Sequence, residues 1–169
     1  MAELFTNREI SWITGFATVY NELGAIVEVV LPFRYRRRLF GCGAYGTRLP
    51  FLEQESTFWR RSLQKDLNYD ALAKMRYAGD YFLWESFSRR ADLCVVEAVL
   101  GGFRKHSGQL SENLESYLGE VRQVTRKPSL VDSVVAIWDR LLWNAPSRIK
   151  KRFNSKGLFR FNHVRQRWY

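Results

Sequence analysis

Cysteine is nearly absent from this chain. Cys42 and Cys94 are the only two in 169 residues, and neither has a second cysteine at Cys-x-x-Cys spacing. That argues against a cysteine-built zinc site and against a disulfide framework. A single bridge between the two stays open, with buried free thiols in a reducing compartment the favoured reading. Apolar runs long enough to span a bilayer are lacking. The start, Met1-Ala2-Glu3-Leu4-Phe5, lacks a signal-peptide layout. The expected location is therefore cytoplasmic, with peripheral contact at the inner face of the membrane. Acids are missing from the last segment altogether: none follows Asp139. The glycine-containing stretch at 33–50 has neither the Walker spacing nor the dinucleotide fingerprint, so as a phosphate loop it is weak and a flexible surface loop is expected. No internal repeat is found.

What is present is a chain of ordinary apolar content, 46%, rich in aromatics at 15%. This suffices for one domain with a core, and most of the rings are expected inside it. The net charge of +10 implies an anionic partner: nucleic acid, an anionic membrane surface or a phosphorylated ligand. The charge is uneven. From Asp139 onward the cations are Arg140, Arg148, Lys150, Lys151, Arg152, Lys156, Arg160, Arg165 and Arg167, interleaved with Phe153, Phe159, Phe161, Trp168 and Tyr169. That composition suits a membrane interface, single-stranded nucleic acid or a solvated tail.

Patterning along the chain predicts a hairpin from residues 11–20 and 25–30 around an Asn21-Glu22-Leu23-Gly24 turn, ended by Pro32. A short strand over 53–59 and a short helix over 60–67 follow, then a turn at 68–70. A helix is predicted over 80–91, with Leu83, Trp84, Phe87 and Ala91 on one face. A strand over 93–100 is broken by Gly101-Gly102. Ser111 is expected to cap a helix that turns Leu114, Tyr117, Leu118 and Val121 inward. A strongly amphipathic helix carries Leu130, Val134, Ile137, Trp138, Leu141 and Leu142, with Ser129 and Asp132 at capping-box spacing. The basic tail begins after Pro146.

Among the acids, Asp80 stands out because it opens an amphipathic helix directly after a glycine. On the residues alone it reads as an N-cap or as an exposed general base, and the two are compatible. Four segments in order then carry a resemblance: Trp12-Ile13-Thr14-Gly15; Gln54-Glu55-Ser56-Thr57-Phe58-Trp59-Arg60-Arg61; Ala78-Gly79-Asp80-Tyr81-Phe82-Leu83-Trp84; and Gly101-Gly102-Phe103-Arg104-Lys105-His106-Ser107-Gly108-Gln109. Together, over about residues 10–112, they resemble the C-terminal half of a bacterial family 2 glycosyltransferase of the GT-A fold.

The resemblance implies an α/β class, with a GT-A-like acceptor-side half domain of a few strands and core helices assigned to residues 1–127. Residues 128–169 lie outside the resemblance and are expected as an amphipathic helix with a basic aromatic tail. It implies that Asp80 is the catalytic base, that Gln54, Glu55 and Trp59 line the acceptor side, and that His106 with Arg104 meets the diphosphate or a divalent cation, Mg²⁺ or Mn²⁺. It also implies a nucleotide-sugar donor and a saccharide or lipid-linked acceptor, in cell-surface polysaccharide synthesis. The family's Asp-x-Asp motif does not occur in this sequence. The expectation is thus a partial transferase whose N-terminal nucleotide-binding half another chain supplies. Two rivals stand beside it: a non-enzymatic basic module binding nucleic acid or an anionic surface, and an inactive truncated fragment. No helix-turn-helix, zinc-finger or RNA-recognition signature accompanies the charge, so nucleic acid is the weaker partner.

Overall fold

A computed structural model describes residues 3–106 and 113–169. It is a mixed α/β structure of several helices and small mixed sheets. In chain order the elements are β1 (Trp12–Thr14), β2 (Ala17–Tyr20), β3 (Ile26–Val30), α1 (Arg37–Phe40), β4 (Thr57–Trp59), α2 (Tyr69–Leu72), α3 (Gly79–Ser88), β5 (Leu93–Val96), β6 (Phe103–Arg104), α4 (Leu114–Val124), α5 (Leu130–Trp143), α6 (Ser147–Phe153), β7 (Leu158–Phe159), β8 (Phe161–Asn162) and β9 (Arg167–Trp168).

The main sheet has the order β4-β1-β5-β7, with β1, β5 and β7 parallel and β4 antiparallel. Its centre is apolar on both faces, as a covered parallel sheet requires: Trp12, Ile13, Val95 and Val96 are fully buried. A second sheet, β3-β2-β6, holds the hairpin only in part: β2 pairs with β3, but the first strand predicted over 11–20 is split and its first half, β1, lies in the main sheet. The hairpin turn closes with Gly24 at φ +81°, a conformation that favours glycine.

The 33–50 stretch differs from the expected surface loop. Phe33, Tyr35, Leu39, Phe40, Cys42, Ala44, Tyr45 and Leu49 are buried in the main core. The rings of Phe40 and Tyr45 lie 4.5 Å apart, and Tyr35 stands edge-on to Trp143 at 5.3 Å. Apolar residues here have no helical or strand period, because the chain enters the core as α1 and turns. The 53–59 segment is a strand only from Thr57; Gln54–Ser56 is a 3₁₀ turn. The 68–70 turn opens α2, capped by the Asn68 side chain accepting the Ala71 N–H. Cys42 and Cys94 are free thiols. Ser111 lies outside the described residues; Asn113 caps α4 by accepting the Ser116 N–H.

The predicted capping box at α5 is present. Asp132 Oδ2 accepts the Ser129 N–H at 2.8 Å, and Ser129 Oγ accepts the Asp132 N–H at 3.2 Å. What the helix buries is unusual. Asp132 and Asp139 face inward with Ala136, Leu142 and Trp143, while Leu130, Val131, Val134, Ile137, Trp138 and Leu141 face solvent. The inward carboxylates are held by arginines. Arg36 grips Asp139 through Nε at 2.7 Å and a terminal nitrogen at 3.0 Å. Arg126 grips Asp132 at 2.5 and 3.1 Å, joined by Arg38 Nε at 2.8 Å.

The compositional boundary at residue 128 does not mark a break in packing. Beyond these ion pairs, Lys150 Nζ donates to the Leu31 carbonyl at 2.9 Å, and β7 pairs in parallel with β5. No described helix is long and apolar enough to cross a membrane.

Candidate active site

α3 leads directly into β5, so it runs back along the sheet and its N-terminus lies at the carboxyl edge of the parallel strands. In open α/β sheets that edge is where ligands bind. The approach to α3 is fixed from α4. The Glu120 carboxylate accepts three successive N–H groups, from Arg76 (2.9 Å), Tyr77 (2.9 Å) and Ala78 (2.7 Å). Burial pushes the Glu120 pKa up, but these three donors and the nearby Arg76 charge together hold it below its ordinary value.

Asp80 is therefore not the N-cap; Ala78 holds that position and Asp80 sits in the first turn. Its Oδ1 accepts the Tyr81 N–H at 2.7 Å, and Tyr117 Oη donates to Oδ2 at a long 3.5 Å. Burial raises the Asp80 pKa, partly offset by those two donors, and the Glu55 charge raises it further. A carboxylate whose pKa is raised is a stronger base than a solvated one.

Asp80 opens into a cavity of about 540 Å³. One wall is the turn Leu52, Glu53, Gln54 and Glu55; the opposite wall is Leu114 and Tyr117 of α4, with Phe51 and Phe103 closing the sides. The Phe51 and Tyr117 rings meet edge-on at 5.5 Å. Buried hydroxyls anchor the turn to β1: Thr14 Oγ1 and Ser56 Oγ are 3.0 Å apart, and Thr57 Oγ1 donates to the Glu53 carbonyl at 2.7 Å. Gly101 explains how Phe103 reaches the cavity. A Cβ at residue 101 would fall 2.1 Å from the Glu55 carbonyl oxygen, so only glycine lets that loop lie on the turn.

The residues named from sequence separate into two groups. Asp80, Gln54 and Glu55 line the same cavity. Trp59 does not; it packs between α3 side chains, 5.6 Å from the Trp84 ring and 5.5 Å from Phe87. Arg104 sits on β6 beside Tyr20 and donates to the Glu22 carbonyl at 2.6 Å, and His106 is exposed just beyond β6. Neither is among the residues lining the cavity. Ser107, Gly108 and Gln109 lie outside the described residues. Among the described residues no three His, Cys, Asp or Glu groups form a metal-holding cluster.

Sequence reasoning missed two residues. Glu53 accepts the Thr18 N–H at 3.1 Å, and burial, with the charges of Glu55 and Glu28, pushes its pKa up to about 7. Tyr117 was read only as an inward apolar position, yet it is the partner of Asp80. The available signal was the Leu52-Glu53-Gln54-Glu55 run itself, two acids close together in a strongly basic chain.

No family model matches the sequence, and neither a curated protein nor a solved structure matches it.

Proposed function

We propose that this chain is the acceptor-side part of an inverting sugar transferase, with Asp80 as the base that takes the proton from the acceptor hydroxyl. The observation that carries the reading is Asp80 itself, half-buried at a helix start, raised in pKa, and facing a cavity whose other wall offers Glu53, Gln54 and Glu55. Carboxylates and an amide on one wall are suited to accepting hydrogen bonds from sugar hydroxyls, and Phe51 and Tyr117 supply ring surface for a pyranose face. The acceptor O–H proton moves to Asp80 as the oxygen attacks the anomeric carbon, and the nucleoside diphosphate leaves with the bonding pair. The donor's diphosphate and its Mg²⁺ or Mn²⁺ belong to residues contributed from outside this chain, since no Asp-x-Asp pair occurs in it. A saccharide or lipid-linked acceptor for cell-surface polysaccharide fits the cavity's chemistry.

The rival reading, a module that binds an anion, fits this cavity poorly, because its charged lining is Glu53, Glu55 and Asp80 with no cation.

Asp80→Asn, assayed together with a donor-binding half, lowers transfer by about a hundredfold or more while saccharide binding to this chain, followed by NMR titration, is retained. Wild-type transfer decreases as pH is lowered through the raised Asp80 pKa. Unchanged turnover in Asp80→Asn overturns the assignment; loss of activity in Glu53→Gln alone moves the proton-accepting role to Glu53.

A further inference from the structure

The outward face of α5 is a continuous apolar stripe. Leu130, Val134, Ile137, Trp138 and Leu141 recur at helical spacing, and all are at least half exposed, from Leu130 at 86% to Trp138 at 51%. The stripe continues onto α6, where Ile149 and Phe153 are exposed one turn apart and the Phe153 ring meets Trp138 edge-on at 6.4 Å. Monomeric surfaces rarely leave so large a contiguous apolar patch uncovered.

Charge identifies what covers it. Residues 128–169 hold nine cations and only two acids, Asp132 and Asp139. Lys150 is buried on the Leu31 carbonyl, and Lys151 and Arg160 pair with Glu97, which leaves Arg140, Arg148, Arg152, Lys156, Arg165 and Arg167 as exposed cations not paired with Glu97. Both acids are turned inward onto Arg36, Arg38 and Arg126, so neither offsets the positive charge at the surface. Arg148 and Arg152, exposed and one turn apart, flank Ile149 and Phe153 on α6. A second copy seated on this face would set basic flank against basic flank. An anionic bilayer surface instead offers hydrocarbon to the stripe and phosphate to the arginines, with the Trp138 indole at headgroup depth.

We infer that the α5–α6 face is a docking surface for an anionic lipid bilayer, with α5 lying in the interface plane. This rests on the surface of α5 and α6, not on the chemistry at Asp80, and the two stand or fall separately. It differs from the sequence expectation in its apolar component: α5, which precedes the basic tail, inserts, and the basic residues of α6 orient it.

The test is co-sedimentation of the full chain with vesicles of phosphatidylcholine alone and of phosphatidylcholine with about a third phosphatidylglycerol. The expected result is binding to the mixed vesicles at least about tenfold tighter than to phosphatidylcholine alone. Trp138→Ser with Leu141→Ser removes apolar contact at exposed positions, and Arg148→Glu with Arg152→Glu removes the basic flank. Each pair lowers binding by about tenfold or more with an unchanged melting temperature. Brominated acyl chains quench tryptophan fluorescence in wild type and much less in Trp138→Phe. Failure to bind the mixed vesicles overturns the inference, as does binding that both paired variants retain. A dimer in sedimentation equilibrium that Trp138→Ser with Leu141→Ser dissolves also overturns it, assigning the face to a second copy.

Discussion

Helices α3 and α5 carry similar apolar stripes and point them in opposite directions. In α3 the stripe of Trp84 and Phe87 enters the core, where Trp84 stacks on Trp12 at 6.0 Å and meets Phe87. In α5 the stripe faces out, and the inward side presents two carboxylates to three arginines. Periodicity thus defines a face, but the partner decides which way the face turns. Around α5 the partner surface was already basic, because Arg36 and Arg38 flank the start of α1 and Arg126 lies just after α4. Buried carboxylates answer that charge, and the apolar side is left exposed.

The sharpest way to break this comparison is to truncate one ring in each stripe. Trp84→Ala, removing a side chain 1% exposed, destabilises by about 3–5 kcal/mol in chemical denaturation. Trp138→Ala stays within roughly 0.5 kcal/mol of wild type under the same conditions. Equal losses would mean that the α5 stripe is covered within the chain.

The inward carboxylates give the next largest effect. Asp132→Ala leaves two arginines without their partner and removes the capping box, at a cost of about 3 kcal/mol. Arg126, against burial and with help from Ser129 and Arg38, holds the Asp132 pKa well below the ordinary carboxylate range. A depressed acid contributes its stability above its unfolded pKa and loses it as pH falls through the folded one. The wild type therefore loses stability below about pH 4, and Asp132→Asn shows a flatter acid limb in thermal melts.

Glu53 has the opposite sign and the smallest effect. Its folded pKa is raised from 4.5 to about 7, so the folded chain holds that proton more tightly than the unfolded one. Its contribution is complete below pH 4.5 and is lost as pH rises through about 7. Glu53→Gln flattens that decline and gains about 1 kcal/mol over wild type in alkaline buffer, a figure reduced for the solvent that reaches a half-exposed group. A pH profile that the substitution leaves unchanged would place the titration elsewhere.

The parts of the molecule readable from sequence are those set by neighbours a few residues apart. The β2–β3 hairpin follows from its Gly24 turn, α5 starts where Ser129 and Asp132 form their capping box, and α3 follows from its stripe. The parts not readable depend on distant partners. Trp59 is expected from the resemblance on the acceptor side, but β1 draws β4 alongside and α3 covers it, so the ring packs against Trp84 and Phe87. Glu53 owes its raised pKa to burial, reinforced by the charges of Glu55 and of the distant Glu28, while the Thr18 N–H opposes the shift. In the candidate site, Asp80 stands out locally as an acid at a helix start, Gln54 and Glu55 come only through the resemblance, and the Tyr117 partner of Asp80 is not readable because it arrives from a distant helix.

The register of β7 on β5 also has a kinetic side. Val95 pairs with Leu158, and α4, α5 and α6 lie between them in the chain. At ribosomal speeds of about 5–20 residues per second, Val95 waits roughly 3–13 s for that neighbour to be made. During that interval the outer edge of β5 offers unpaired backbone groups to any passing strand. Nascent chains of this protein are most exposed to misassociation in the seconds before Leu158 emerges.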